Sequence, residues 1–257
     1  MRGTRKVLLS VFILLVTGSI AFSVIPNQKK QARPIKSGTS GGNIKDQNTQ
    51  FCCSGTIGAV VKDSNGKFYL LSNNHVFAKT NLGHAGDLIS QPGLIDFNCE
   101  SPAENNVANL TKFVKIKFGQ NTNNKVDAAI AQVIPGKVNQ NGFILSVGNP
   151  GQAVEATLGM KVMKSGRTTG FVRGGTVDII NATIRVGYSN TCGGASTKVA
   201  RFVNQVHIQA GAKKFSDHGD SGSLIVQDKK PCPGTVALLF AGDDFGNTTG
   251  SRIQDVL

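Results

Sequence analysis

Residues 216–226 read SDHGDSGSLIV, and their arrangement decides what the rest of the chain has to be. Two glycines bracket an Asp-Ser pair, and an apolar run suited to a strand follows at once. Glycine adopts backbone angles closed to other residues and lets a second segment approach closely. A serine held this way, with bare N–H groups beside it, has the form of a nucleophile facing an anion hole. The same residues are also the commonest formers of a turn that enters a strand. The nucleophile reading therefore requires a base, an orienting acid and a suitable fold elsewhere.

Outward from this stretch the texture is uniform from Cys52 onward. Short runs rich in Val, Ile and Phe alternate with Gly, Asn and Asp clusters: TIGAVV, KFYLLS, KFVKIKF, AAIAQVI, KVMKSG, FVRGGTVDII, ATIRVGY, NQVHIQA, SLIVQ and TVALLFAG. These are strand signatures with turn punctuation, and DSNGK (63–67) has the composition of a hairpin turn. The pattern predicts an all-β sandwich or pair of barrels. NPGQA (149–153) marks a boundary near the middle, giving an N-terminal unit at 51–150 and a C-terminal unit at 151–257. At the end, Ser251 followed by Gln254 reads as a capping box that opens an amphipathic helix.

The first 50 residues differ. MRGTRK carries three positive charges, VLLSVFILLVTGSI is a short apolar run, and AFS closes it with small residues. Residues 1–23 thus read as a secretory signal peptide, and the alternative is an uncleaved membrane anchor. Residues 24–50 are polar and basic, and read as a linker or pro-segment with little core of its own. Export suits the five cysteines, Cys52, Cys53, Cys99, Cys192 and Cys232, whose spacing fits no zinc template. The expectation is two disulfides and one free thiol. Cys52 and Cys53 are adjacent and unsuited to joining each other, which makes one of them the natural odd thiol. The net charge of +13 favours anionic neighbours. The charges are scattered and few aromatics lie among them, so no specific nucleic-acid binding is expected.

The base must be one of four histidines, and none of them follows Ser221. That excludes the α/β-hydrolase order, in which the base comes last. His218 is too close in sequence to Ser221 to be a placed base and belongs at the rim. His207 sits in an alternating strand and His84 in a loop. His75 ends the run KFYLLSNNHVFA, where a rigid strand delivers an imidazole to an edge. The acid is Asp127, a single carboxylate in the otherwise apolar VDAAIAQV (126–133). A buried carboxylate without partners costs several kcal/mol, and beside an imidazole it would hold the tautomer and stabilise the imidazolium.

With His75, Asp127 and Ser221 in that order, the chain resembles bacterial trypsin-like serine proteases of the chymotrypsin fold. LSNNHVFA, VDAAIA, SGRTTGFVRGGTV and FSDHGDSGSLIV carry the likeness, which covers roughly residues 50–257. It implies two six-stranded antiparallel β-barrels with the active site between them, and endopeptidase activity on a protein or peptide substrate. It further implies His75 as general base, Asp127 as orienting acid and Ser221 as nucleophile, with the N–H groups of Gly219 and Ser221 as oxyanion hole. No metal or organic cofactor is implied. A secreted or cell-envelope location is expected, with membrane contact only if the leader stays uncleaved.

Two departures follow from the same likeness. Trypsin-like zymogens insert a freshly cut Ile-Val-Gly-Gly terminus beside the acid that precedes the nucleophile, and no such stretch occurs here. Asp220 needs another cation, and Arg167 of SGRTTG is the expected partner. The family's pocket-deciding position, six before the nucleophile, is Phe215 rather than an acid. Phe215, His218, Ala241 and Gly242 are therefore the expected pocket residues, with VALLFAG (236–242) as the wall. Asp243 and Asp244 favour a basic substrate side chain and His218 an acidic one, which leaves specificity open. The rival readings are a catalytically silent binding domain on the same fold and a basic wall-binding module acting through residues 24–50.

Overall fold

Branched and aromatic residues fit a pleated, half-buried surface, and the runs that carry them become strands. The structure is a computed structural model that describes residues 25–257, so the leader assigned to 1–23 lies outside the described residues. The first sheet holds β1 (Thr39–Asn43), β2 (Gly55–Ile57), β3 (Ala59–Lys62), β4 (Phe68–Ser72), β5 (Leu88–Ser90), β6 (Asn106–Phe113) and β8 (Ala129–Val133). Its strand order is β2-β1-β5-β6-β8-β4-β3. Since β2 and β3 are arms of one run bent at Gly58, the order closes into a ring of six staves. DSNGK forms the β3–β4 turn, with the Asp63 N–H donating to the Lys67 carbonyl at 3.0 Å.

The second sheet holds β9 (Lys161–Gly166), β10 (Gly170–Tyr188), β11 (Lys198–Gln209), β12 (Leu224–Gln227), β13 (Thr235–Gly242) and β14 (Thr248–Arg252). Its order is β10-β9-β12-β13-β14-β11, and an added β10–β11 pairing closes these six into a barrel. Outside this ring, β7 (Gly119–Asn124) runs parallel to β11, although it comes from the first half of the chain. Ile57, Leu70, Ile89 and Leu110 fill the first barrel, and Val177, Ile208, Val236 and Leu239 the second. Between them Leu71, Met163, Leu224 and Leu238 form a shared apolar layer. Two short α-helices, α1 (Asn74–Phe77) and α2 (Ile253–Val256), and two 3-10 turns, Leu94–Asp96 and Ala103–Asn105, complete the described chain.

Several expectations need correction. Residues 24–50 are not a coreless linker: Ile35 is fully buried, and β1 is buried throughout and pairs with both β2 and β5. Composition misleads there because TSGGN packs through its small size; a Cβ on Gly41 would sit 2.5 Å from the Ile57 side chain. Neither adjacent cysteine is the free thiol. Cys52 joins Cys99, Cys53 joins Cys192, and Cys232 is free and exposed. Successive side chains of an extended segment point to opposite sides, so neighbours reach different partners. The capping box does not form either. Ser251 is a buried residue of β14, and α2 starts from Arg252 without a side-chain cap.

Candidate active site

The stretch SNNHVFA looks too polar for a core, yet Ser72, Asn73 and Asn74 are all fully buried. Each satisfies a backbone carbonyl. Ser72 Oγ donates to the Thr56 carbonyl at 2.7 Å, Asn73 Nδ2 to that of Asp127 at 2.7 Å, and Asn74 Nδ2 to that of Val114 at 2.7 Å. A buried polar group left unpaired would cost about 1–3 kcal/mol, so these bonds lock the end of β4 and the single turn of α1. His75 is thereby held with 22% of its side chain exposed, over an Asp127 that has none.

Asp127 lies just before β8 and is saturated with donors. Its Oδ2 is 2.7 Å from His75 Nδ1 and accepts from Tyr188 Oη at 2.9 Å; its Oδ1 accepts the His75 backbone N–H at 3.2 Å. Burial works against the charged imidazole, but the Asp127 charge and hydrogen bond, with a further contribution from Asp46, hold the His75 pKa above its ordinary value. The phenol of Tyr188 is pushed well above its ordinary pKa by burial and then by the Asp127 charge. It stays a neutral donor.

Ser221 sits where the two barrels touch, its carbonyl accepting the Thr56 N–H at 2.8 Å. Gly58 and Gly222 make this approach possible. A Cβ on Gly58 would collide with the Gly222 carbonyl, and Gly222 itself has φ +94°. Two clefts of about 640 and 550 Å³ meet at this point, and His75, His218 and Ser221 line both.

The peptides around Ser221 are fixed by their carbonyls. Thr168 Oγ1 donates to the His218 carbonyl at 2.6 Å, and Ser223 Oγ to the Asp220 carbonyl at 2.6 Å. In a trans peptide the N–H points opposite to the carbonyl, so the N–H groups of Gly219 and Ser221 are turned away from these anchors. Neither has an acceptor among the described residues, and both residues line the larger cleft.

The cation beside Asp220 is Lys164, not Arg167. Lys164 Nζ and Asp220 Oδ2 are 3.0 Å apart and both side chains are fully buried. Burial lowers the Lys164 pKa, and the Asp220 charge opposes it. Arg167 instead forks onto Asp96, with Nε 2.6 Å from Oδ2 and Nη2 2.7 Å from Oδ1. The reason is position: Lys164 lies within β9, whose residues from Val162 to Gly166 are all buried, whereas Arg167 opens the half-buried turn after it. SGRTTG serves Asp220 through the backbone N–H groups of Thr168, at 2.9 Å, and Thr169, at 3.2 Å. The missed signal was a lysine inside the strand KVMKSG.

Phe215 is likewise displaced from its expected role. It is fully buried in the second barrel's core and lines neither cleft. The smaller cleft is lined instead by Ser216, together with His218, Ala241 and Gly242. Ala241 and Gly242 pair with Thr249 and Thr248 of β14 on one edge, and β12 stops short of them on the other. That free edge faces the cleft. Tyr188 was not anticipated, since nothing in ATIRVGY distinguishes its last residue from a strand aromatic. Among the described residues, no group of three or more His, Cys, Asp or Glu is placed to hold a metal ion.

Two closed β-barrels packed face to face, with the cleft at their junction, define the chymotrypsin architecture. A family model described as Trypsin matches residues 43–253, and the chain belongs to that family of serine endopeptidases. Among solved structures, Thermobifida fusca protease A is 16% identical with TM-score 0.54, over 87% of this chain and 94% of that one. Nocardiopsis protease is 15% identical with TM-score 0.56, over 86% and 93%. A serine protease specific for glutamic acid, described as using a histidine triad in substrate binding, is 18% identical with TM-score 0.54, over 86% and 95%. At these identities the likeness is one of fold. No curated protein matches the sequence.

Proposed function

We propose that the protein is an exported serine endopeptidase that works through an acyl-enzyme, with Ser221 as nucleophile, His75 as base and Asp127 as orienting acid. The observation that carries the reading is the pairing of buried Asp127 with half-buried His75 at 2.7 Å, opening onto the cleft that Ser221 shares. His75 Nδ1–H donates to Asp127, which leaves Nε2 to take the Ser221 proton as Oγ attacks the scissile carbonyl. The developing oxyanion is received by the N–H groups of Gly219 and Ser221, where one such donor is worth about 3–4 kcal/mol. His75 then protonates the leaving amine, and water repeats the cycle on the acyl-enzyme. The free edge at Ala241 and Gly242 supplies backbone pairing to the acyl side of the substrate.

Export rests on the leader at 1–23 together with two disulfides, which persist in oxidising compartments. The division of the folded body near residue 150 is part of the same proposal. Labelling with a fluorophosphonate tests the chemistry: the wild type takes up one probe at Ser221 and Ser221→Ala none. A folded wild type that takes up no probe is a silent binding domain. Cleavage profiling with a peptide library, controlled by Ser221→Ala, then sets the residue preferred in the smaller cleft.

A further inference from the structure

The oxygen that orients the imidazole is shared with a third residue. Asp127 Oδ2 accepts from Tyr188 Oη at 2.9 Å while lying 2.7 Å from His75 Nδ1. The Tyr188 ring is also packed against the site, edge-on to His75 at 6.0 Å between centroids and to Phe118 at 5.9 Å. We propose that Tyr188 is a positioning residue of the catalytic machinery: a neutral phenol that fixes the Asp127 carboxylate under His75. The proposal deepens the serine-peptidase reading and rests on it.

The phenol reaches Asp127 because of an unusual piece of chain. Strand β10 runs for 19 residues, and Tyr188 pairs with Lys198 on the last rung of the β10–β11 hairpin. Just beyond, Cys192 is bonded to Cys53 beside the first barrel, and Asn48 Nδ2 donates to the Cys192 carbonyl at 2.9 Å. A hairpin of the second barrel is thus pinned to the first at two points, with its tyrosine beneath the imidazole.

The hydroxyl does more than fill space. A hydrogen bond to a carboxylate takes up part of the charge on its oxygen, so the phenol and the imidazole share Asp127 Oδ2. Asp127 then supports an imidazolium without taking its proton. Removing the hydroxyl concentrates the carboxylate charge on Nδ1–H and stabilises protonated His75. The other charges on His75 come from Asp46, itself faced by Lys79, and neither changes when Tyr188 loses its oxygen.

The test compares wild type, Ser221→Ala and Tyr188→Phe. In Tyr188→Phe, kcat is expected to fall roughly ten- to a hundredfold with KM little altered, the size of one hydrogen bond to a charged group. The His75 midpoint, followed by NMR on the Nδ1 proton, is expected to rise. This titration is repeated in the Ser221→Ala background, so it is independent of turnover. A midpoint unmoved or displaced downward overturns the assignment, whatever the rate does. Absence of fluorophosphonate labelling in the wild type overturns the peptidase reading instead. Should Tyr188→Phe fail to fold, the chain's having only two tyrosines offers a second route. In a Tyr69→Phe protein labelled with 3-fluorotyrosine, the single fluorine resonance should titrate with His75, and a resonance flat through that range overturns the proposal.

Discussion

At the scale of single residues, the Lys164–Asp220 pair sets how the loop leading into Ser221, the proposed nucleophile, is held. Its two side chains have no exposed surface, and breaking a buried pair by removing one partner costs about 3–5 kcal/mol. Lys164→Met should therefore lose about that much stability in urea unfolding and should lose fluorophosphonate labelling as the loop relaxes. Arg167→Ala, whose partner is Asp96, should keep most of its labelling rate. Equal losses in the two variants would contradict the pairing. His75 sets the pH dependence. Asp127 and Asp46 outweigh burial and raise its pKa, so the acid limb of kcat/KM should lie above the ordinary 6.5. Stability runs the other way: a raised folded pKa contributes in full below 6.5 and fades as pH climbs through the folded value. Activity is thus gained over the window in which this stabilisation is lost. A pH–rate profile whose acid midpoint falls at or below 6.5 would refute it.

At the scale of elements, the turn after β9 carries more than its sequence announces. It caps Asp220 with backbone N–H groups and, through Thr168 Oγ1, fixes the peptide that aims the Gly219 N–H. Thr168→Val keeps the shape and removes the anchor. Its expected effect is a fall in kcat of about tenfold or more with KM near the wild-type value, since a misaimed oxyanion donor acts on the transition state. A rise in KM alone would mean that the turn only binds substrate. The same element shows what sequence can convey. Runs such as TVALLFAG and SLIVQ announced β13 and β12 because branched side chains mark a buried sheet. By contrast β1 (TSGGN) and β14 (TTGSR) are built from small and polar residues whose burial depends on neighbours far away in the chain, and β7 (GQNTNN), mostly exposed, is a strand only through its pairing with distant β11. FVRGGTVDII and ATIRVGY read as two strands, yet they form one long β10. Only its pairing with β11 across several bulges reveals that continuity.

At the scale of the whole molecule, the site exists because two barrels are held in one register. Chain order and single polar residues in apolar surroundings are what single out His75, Asp127 and Ser221, the triad we propose. Their supports were not legible in the sequence, because each arrives from a distant segment: Lys164 from β9, Tyr188 from the tip of β10, Thr56 from β2. The two disulfides separate these levels. Cys52–Cys99 closes a sequence separation of 47 within the first barrel, and Cys53–Cys192 one of 139 between barrels. By chain entropy alone each contributes about 4–5 kcal/mol, so their removal should lower unfolding stability by similar amounts. Their effects on catalysis should differ. The Cys52→Ser/Cys99→Ser protein, while folded, should keep the wild-type kcat and His75 midpoint. The Cys53→Ser/Cys192→Ser protein should lose kcat and shift the midpoint in the direction of Tyr188→Phe, because the hairpin that carries the phenol is no longer pinned. Measuring both proteins well below their unfolding temperatures keeps stability out of the comparison. A Cys53→Ser/Cys192→Ser enzyme as active as the wild type would show that β10 places Tyr188 without the inter-barrel bond.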